Sequence, residues 1–402
     1  MLHAIEIKPD VYWVGGVDWN ERNFHGYTTD RGSTYNAYLI MDEKITLIDT
    51  CKPGFAPELI ERVSEVVDPS RIDYVIANHV EQDHSGAIPD ICALAPNARV
   101  VCSAPHGASG LEAHYGERDY LPVKSGDTLS IGARTLTFVH TMMVHWPDNM
   151  VTYSPADKIL FSNDAFGQHF ASSKRFDDEV GLPEVLAQAK KYYANIVMPY
   201  SRHVTRALGA LGGLDIDMIA PSHGVIWRSH VPEILDTYTR WSALEPEEYA
   251  IVVYDSMWHT TETMAREIVE AFIECGIPAR LFDLKVNHIS DIMTEVLSAK
   301  YVAVGSPTLN NGMMPTVASF LCYLKGLSPR GGWPGRAAIP FGSYGWGPSG
   351  PDQVAESLAS CGFDMPFGTL TRKWTEDEAG LFELQSAIVS KLSDAAPDAT
   401  DE

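Results

Sequence analysis

Residues 78–84 read Asn78-His79-Val80-Glu81-Gln82-Asp83-His84 and follow the apolar run Tyr74-Val75-Ile76-Ala77, which has the make-up of a buried strand. If the chain stays extended beyond that strand, the side chains at 79, 81 and 83 project to one side. One imidazole and two carboxylates then share an edge, with a second imidazole, His84, adjacent. So many ionisable groups beside an apolar strand point to metal ligation rather than packing, because a buried charge must be paired or bound to a metal. As the neighbour of Asp83, His84 faces away unless the loop turns there, and Ser85-Gly86 is suited to such a turn.

Three further positions share this chemistry and sit where strands are expected to end. His145 lies in Val144-His145-Trp146-Pro147-Asp148, Asp164 in Ser162-Asn163-Asp164, and His223 in Pro221-Ser222-His223-Gly224. Small residues or proline beside each let the backbone turn close to a shared centre. Together the seven side chains are four imidazoles (His79, His84, His145, His223) and three carboxylates (Glu81, Asp83, Asp164), with no thiolate. That exceeds one tetrahedral zinc and suits two metals sharing a carboxylate bridge. Non-haem iron or manganese fits such a donor set, and geometry leaves zinc open. The other histidines, His169 among them, have no supporting context.

The clearest boundary is Leu244-Glu245-Pro246-Glu247-Glu248, polar and broken by proline, which divides the chain into 1–248 and 249–402. Downstream, strand patterns at 251–254, 280–284, 302–306, 337–343 and 369–373 alternate with helical patterns at 263–274, 291–299, 315–324, 352–361 and 376–392. This alternation predicts a doubly wound parallel sheet of flavodoxin-like size, followed by a tail that frays after 394. Upstream, short strands cluster at 11–14, 37–40 and 45–49, and again at 135–139, 151–153 and 158–161. Helices at 57–66, 183–193 and 205–211 separate them, which predicts a mixed α+β unit, a two-layered sandwich.

Composition narrows the function. The 402 residues carry 53 Asp plus Glu against 30 Lys plus Arg, a net charge of -23, which disfavours binding to nucleic-acid phosphates or an anionic membrane surface. No run approaches the ~20 apolar residues of a membrane span, and the N-terminus does not read as a secretory signal. The six cysteines are scattered without a C-x-x-C pair. A disulfide framework is not expected, and a reducing cytoplasm is.

The second half carries its own signals. Its first strand leads into Asp255-Ser256-Met257-Trp258-His259-Thr260-Thr261 and then a helix. Hydroxyls and free N–H groups at a helix start make a phosphate cradle without basic residues. Walker and G-x-G-x-x-G loops are absent, which argues against a nucleoside triphosphate or a dinucleotide. Two more loops leave the carboxyl ends of strands: Gly305-Ser306-Pro307-Thr308-Leu309-Asn310-Asn311-Gly312 and Gly342-Ser343-Tyr344-Gly345-Trp346-Gly347. Together they offer amides to the polar edge of an isoalloxazine and Trp or Tyr to its flat face.

With these motifs in place, the chain resembles the metallo-β-lactamase-like αββα fold, whose signature is H-x-H-x-D-H after a strand. Glu81 in the third position looks like the flavodiiron (A-type flavoprotein) family, where the motif reads H-x-E-x-D-H. The segments around His145, Asp164 and His223 match that family in order. So do Val17-Asp18-Trp19, His25-Gly26-Tyr27 and Thr34-Tyr35-Asn36-Ala37-Tyr38-Leu39, and the flavin loops. The resemblance implies one iron held by His79, Glu81 and His145, another by Asp83, His84 and His223, and Asp164 bridging them. It places His25 and Tyr193 along the pocket, and FMN in the second domain.

It further implies an electron conduit from a one-electron donor through FMN to a di-iron centre, reducing oxygen to water, nitric oxide to nitrous oxide, or both. Without C-x-x-C pairs the donor must be external, and the resemblance favours rubredoxin. A head-to-tail homodimer, or a dimer of dimers, is the family's arrangement. Because rubredoxins are themselves acidic, a neutral or basic patch is expected near the flavin edge, with Lys325, Arg372 and Lys373 as candidates. Two competing readings are a metal-dependent hydrolase with a non-redox second domain, and a flavodoxin-like carrier whose first domain binds metal only structurally. The choice between oxygen and nitric oxide, and the physiological donor, stay open from sequence.

Overall fold

The structure is a computed structural model of the chain and describes residues 2–375 and 378–395. It separates into two compact units. One holds the residues up to Tyr193 together with Tyr200–Ser242; the other holds Ala194–Pro199 and the residues from Ala243 onward.

The first unit is built on two sheets. In the larger, the strands run in the order Ile5–Lys8, Val11–Trp13, Tyr38–Ile40, Thr46–Ile48, Tyr74–Ala77, Arg99–Ser103, Leu121–Val123. The first three pairings are antiparallel and the last three parallel. The second sheet runs Thr128–Ser130, Thr135–His140, Met150–Ser154, Ile159–Asn163, Met218–Pro221, antiparallel except for its last pair. Between the sheets, Trp13, Tyr38, Ile48, Ile76 and Val101 meet Phe138, Met150, Phe161 and Met218. The alternate residues Leu39, Leu47, Val75 and Val100 face outward onto Leu59, Val63, Ile91 and Leu111 of the covering helices. Strands buried on both faces read as continuous apolar runs, which is why 74–77 shows no polar alternation. The helix Ser201–Leu211 packs on the second sheet, giving the expected αββα sandwich.

Two details depart from the sequence reading here. The helix expected over 183–193 is Leu182–Tyr192, and the chain then widens into a π-helical turn, Tyr193–Val197. The segment after Glu81 is not extended, because Gln82–Ser85 forms a single helical turn.

The second unit is a five-stranded parallel sheet in the order Ala279–Asp283, Glu247–Tyr254, Ala299–Gly305, Ala337–Tyr344, Leu370–Lys373. With strands numbered along this unit, that is the flavodoxin order 2-1-3-4-5, whose ligand crevice lies at the carboxyl ends. The segment 244–248 is less free than a linker. Glu247 and Glu248 already belong to the first strand, the Glu247 N–H donates to the Ser298 carbonyl at 2.7 Å, and Lys300 Nζ donates to Glu248 at 2.7 Å. Upstream, the buried Arg336 donates to the carbonyls of Leu244 (3.1 Å) and Leu297 (2.5 Å). The compact units accordingly divide at Ser242 and Ala243, a few residues before the expected boundary. The last helix is Glu378–Ala395; its expected start at 376 and the tail beyond 395 lie outside the described residues.

Candidate functional site

All seven candidate metal ligands leave the ends of strands or the turns that follow them. His79 and Glu81 follow Tyr74–Ala77, Asp164 follows Ile159–Asn163, and His223 follows Met218–Pro221. The turn Gln82–Ser85 decides where Asp83 and His84 point. Extended chain would separate them, whereas helical geometry buries both. The turn is tied down from both sides. Ser85 Oγ donates to the Val80 carbonyl at 2.7 Å, and the Thr50 amide and hydroxyl both donate to the His84 carbonyl at 2.7 Å.

The ligand atoms fall into two groups, His79, Glu81, His145 and Asp164 in one and Asp83, His84 and His223 in the other. Asp164 faces both. Its Oδ2 lies 3.7 Å from His79 Nε2 and 3.3 Å from His145 Nε2, while its Oδ1 lies 3.0 Å from His84 Nε2 and 3.5 Å from His223 Nε2. Glu81 Oε2 sits 3.3 Å from both His79 Nε2 and His145 Nε2, and Asp83 Oδ2 3.1 Å from His223 Nε2. Separations of this size suit neighbouring ligands on one ion at bond lengths of about 2.1 Å. Both oxygens of Asp83 and of Asp164, and both ring nitrogens of His84, are buried with no hydrogen-bond partner among the described residues. Orphaned polar atoms this deep demand an occupant, and a pair of metal ions fits the donor set.

Supporting contacts aim the rings. The His223 Nδ1–H donates to the Thr34 carbonyl at 2.7 Å; a carbonyl only accepts, so the Nε2 lone pair faces the centre. His79 Nδ1 pairs with Asp148 Oδ2 at 2.8 Å, and that oxygen also accepts the Val80 N–H at 2.8 Å. Behind them sits a carboxylate that sequence reading passed over. Asp49, buried, accepts the Asn78 N–H (2.8 Å), Asn78 Nδ2 (3.1 Å), Asn163 Nδ2 (3.2 Å) and the Ser222 hydroxyl (3.4 Å). Asn78, Asn163 and Ser222 each precede a candidate ligand: His79, Asp164 and His223. Asp49 and Asn163 both take left-handed backbone, with φ of 53°, a conformation Asp and Asn adopt more readily than most residues. After His223, Gly224 has φ 81° and a Cβ there would fall 2.1 Å from Gln168 Oε1, so only glycine fits.

The cluster's charges are interlocked. Burial opposes protonation of His79, yet Asp148 and Glu81 raise it to about 10. His145 is likewise raised to about 10 against burial, by Asp164 and Glu81, and His84 to about 9 by Asp83 and Asp164. Burial penalises the Asp164 carboxylate, but His84 and His145 pull it well below the usual range. In the metal-free chain these three imidazoles therefore hold protons at neutral pH, and metal must expel them. Ferrous iron affinity is expected to rise with pH until about 9 to 10, with proton release seen when titrations are compared in buffers of different ionisation enthalpy. The imidazole pKa values are raised on folding, so their stabilisation of the metal-free unit is complete below 6.5 and is lost as pH climbs through about 9 to 10. Iron uptake without proton release would contradict this.

Of the two expected pocket residues, His25 reaches the site, with Nε2 2.8 Å from Glu81 Oε1. Tyr193 does not face the histidines. Its hydroxyl bonds Ser201 Oγ at 3.0 Å, and its ring packs on Tyr238 and Trp241. Tyr192 takes that place, its ring 6.0 Å from His223, because it shares a helix face with the buried Val185 and Ala189. His169, without context in the sequence, also belongs here. Its ring lies 4.5 Å from His223, and its Nδ1 bonds Ser33 Oγ at 2.7 Å.

The second unit holds a cavity of about 570 Å³ at the carboxyl ends of its strands, within the range of small-molecule sites. Met257, Trp258, Thr260, Pro307, Thr308, Asn310, Asn311, Ser343, Tyr344, Gly345, Trp346 and Gly347 line it, as expected, joined by Leu309 and Trp374. His259, Thr261, Ser306 and Gly312 shape the loops instead, and Ser256 opens the first of them. Thr261 Oγ1 pairs with Ser343 Oγ at 2.9 Å, and the Met314 N–H donates to Ser306 Oγ at 2.8 Å. Asn310 and Asn311 both take positive φ, closing a tight turn between Leu309 and Gly312. The Ser256 hydroxyl is buried without a partner among the described residues, as suits a phosphate-binding loop. Of the candidate docking cations, Arg372 is engaged within its own unit, donating to the carbonyls of Thr371 and Gly380; Lys373 is exposed, as is Lys325 on the helix Pro315–Leu327.

Both units match known families. Residues 34–224 match the family described as ODP family beta lactamase, and residues 252–386 match flavodoxin. A relative named nitric oxide reductase, from Moorella thermoacetica, is 41% identical over 98% of this chain and 100% of its own. The solved structure of rubredoxin oxygen:oxidoreductase from Desulfovibrio gigas superposes with a TM-score of 0.93 at 39% identity, covering 98% of this chain and 100% of that one. A flavodiiron protein from Giardia intestinalis gives a TM-score of 0.92 at 38% identity, covering 97% and 96%.

Proposed function

The chain belongs to the flavodiiron protein family, and from that premise we propose that it reduces dioxygen to water, nitric oxide to nitrous oxide, or both, with electrons delivered by rubredoxin and relayed by FMN. The observation that carries this is Asp164, turned with one oxygen to each ligand group, in a chain that also holds a flavodoxin-type cavity. The cofactors are FMN and a di-iron centre. When bound, they supply single-electron transfer and a pair of reducible metals with open positions.

The chain's own residues do the rest. His79, Glu81 and His145 would hold one iron, Asp83, His84 and His223 the other, with Asp164 bridging. Asp148 and the Thr34 carbonyl fix the ring orientations, and His25 holds the outer oxygen of Glu81. Phe24, His169 and Tyr192 pack around the His223 ring. The labour divides between the two units, metal in the first and flavin in the second.

Each unit leaves large apolar side chains exposed, Trp19, Met142 and Trp146 in the first and Trp258, Trp346 and Trp374 in the second. Exposed aromatics of this kind support a head-to-tail homodimer that covers them. No described helix is long and apolar enough to cross a membrane, and a cytoplasmic location fits the free cysteines. The hydrolase reading leaves the flavin-sized cavity unexplained.

The test is direct. Purified protein should be yellow, with about one FMN and about two irons per chain, and should consume oxygen or nitric oxide at an electrode when reduced rubredoxin is supplied. Zinc without flavin would overturn the proposal. Parallel assays with the two gases decide the preference, and an active monomer in sedimentation would remove the head-to-tail dimer.

A further inference from the structure

The loop that would take the FMN phosphate begins with a charge of the wrong sign. Asp255 is 1% exposed. Its Oδ1 accepts the Ser256 N–H at 2.6 Å and its Oδ2 accepts the Thr316 hydroxyl at 2.5 Å, so the carboxylate shapes the first turn of the loop. A phosphate dianion would therefore sit close to a buried carboxylate, an arrangement that opposes binding unless a cation balances it.

Lys285 supplies that cation from another element. It stands just past the strand Ala279–Asp283, and its backbone N–H bonds Asp283 Oδ1 at 2.8 Å. Its Nζ reaches 3.2 Å from Asp255 Oδ1 and donates to the Ser256 carbonyl at 2.8 Å. The other basic side chains at this helix start are engaged elsewhere. Arg266 bonds Glu262 Oε1 at 2.7 Å, and His259 Nδ1 bonds Glu262 Oε2 at 2.9 Å. Beside the lysine's carbonyl partner, the Ser256 hydroxyl is buried with no partner among the described residues, marking where a ligand oxygen belongs.

We propose that Lys285 is a positioning residue that neutralises Asp255 and holds the Ser256 turn, so that the loop selects a phosphate-bearing flavin over one without phosphate. The inference rests on the FMN reading above. It assigns the selectivity to a side chain outside the loop, one that the sequence pattern of a cradle without basic residues does not reveal.

The experiment strips FMN from the full-length chain and follows rebinding of FMN and of riboflavin by flavin fluorescence. Lys285→Met should weaken FMN about ten-fold or more, the scale of an uncompensated like-charge contact, and leave riboflavin within about two-fold. Lys285→Arg should stay near the unsubstituted chain. Adding Asp255→Asn to Lys285→Met should restore most of the lost FMN affinity, because the acceptor for the Ser256 N–H is kept while the charge is removed. Unchanged FMN affinity in Lys285→Met overturns the proposal, as does an equal loss for both flavins, which would mark a merely structural lysine. An unsubstituted chain that binds FMN no better than riboflavin overturns this inference and the FMN reading together.

Discussion

Replacing Asp164 with alanine is expected to strip iron from both positions at once and to lower turnover with either gas by about 100-fold or more, since loss of even a ligand's supporting partner costs 10–100-fold. The carboxylate is 1% exposed, and its two oxygens face different imidazole groups. Among the described residues no other carboxylate faces both ligand groups, and the cavity left is too deep for water to replace a shared anion cheaply. Asp164→Asn should fail similarly, because an amide presents one neutral acceptor. In the metal-free state the same change removes one of the carboxylates that raise the His84 and His145 pKa values, so both should fall. Iron analysis, the flavin absorbance and gas electrodes read the outcome together. FMN should remain bound and be reduced by the donor but reoxidise slowly. Full iron occupancy with turnover within about three-fold would contradict the bridging assignment.

Asp49→Ala tests the opposite case, a residue with no place among the ligands. Its carboxylate holds Asn78, Asn163 and Ser222, so truncation leaves several buried donors unsatisfied, at about 1–3 kcal/mol each. The expected loss is about 3–5 kcal/mol of stability in the first unit, typical of breaking a buried charged network, with iron affinity down about 10–100-fold. Asp49→Asn should fall between, because one acceptor oxygen survives while its new NH₂ faces donors. The flavin unit serves as an internal reference, and its FMN fluorescence and melting should not move. Iron binding and stability both unchanged in Asp49→Ala would show that the three strand ends hold their places unaided.

The contrast between Asp164 and Asp49 also explains what was legible in the sequence. His79, Glu81, Asp83 and His84 stand out because four ionisable side chains crowd one short segment after a strand. Asp49 follows Ile48 as any strand-ending aspartate would, and its partners lie 29 to 173 residues away. The turn Gln82–Ser85 was equally hidden, since one helical turn has no periodicity to read. Tyr192 and Tyr193 are identical residues, and choosing between them needs the helix phase that only Val185 and Ala189, as buried neighbours, define. The parallel unit was the more readable half, because its central strands Glu247–Tyr254 and Ala299–Gly305 carry apolar Val-rich runs and its strands alternate with amphipathic helices. Short strands such as Leu121–Val123 and helices such as His106–Tyr115, with glycines inside it, carry weaker patterns and went unseen.

The spread of the ligands along the chain has a consequence for biogenesis. A ribosome delivers His79 and His84 early, but the trio to which His84 belongs is not complete until His223 has emerged and Met218–Pro221 has zipped onto Ile159–Asn163. No nascent fragment ending before that strand can sequester iron in both positions. Loading must then await the sandwich, and the order of manufacture is set by topology: tertiary closure first, metal second, with the flavin unit still being translated behind it.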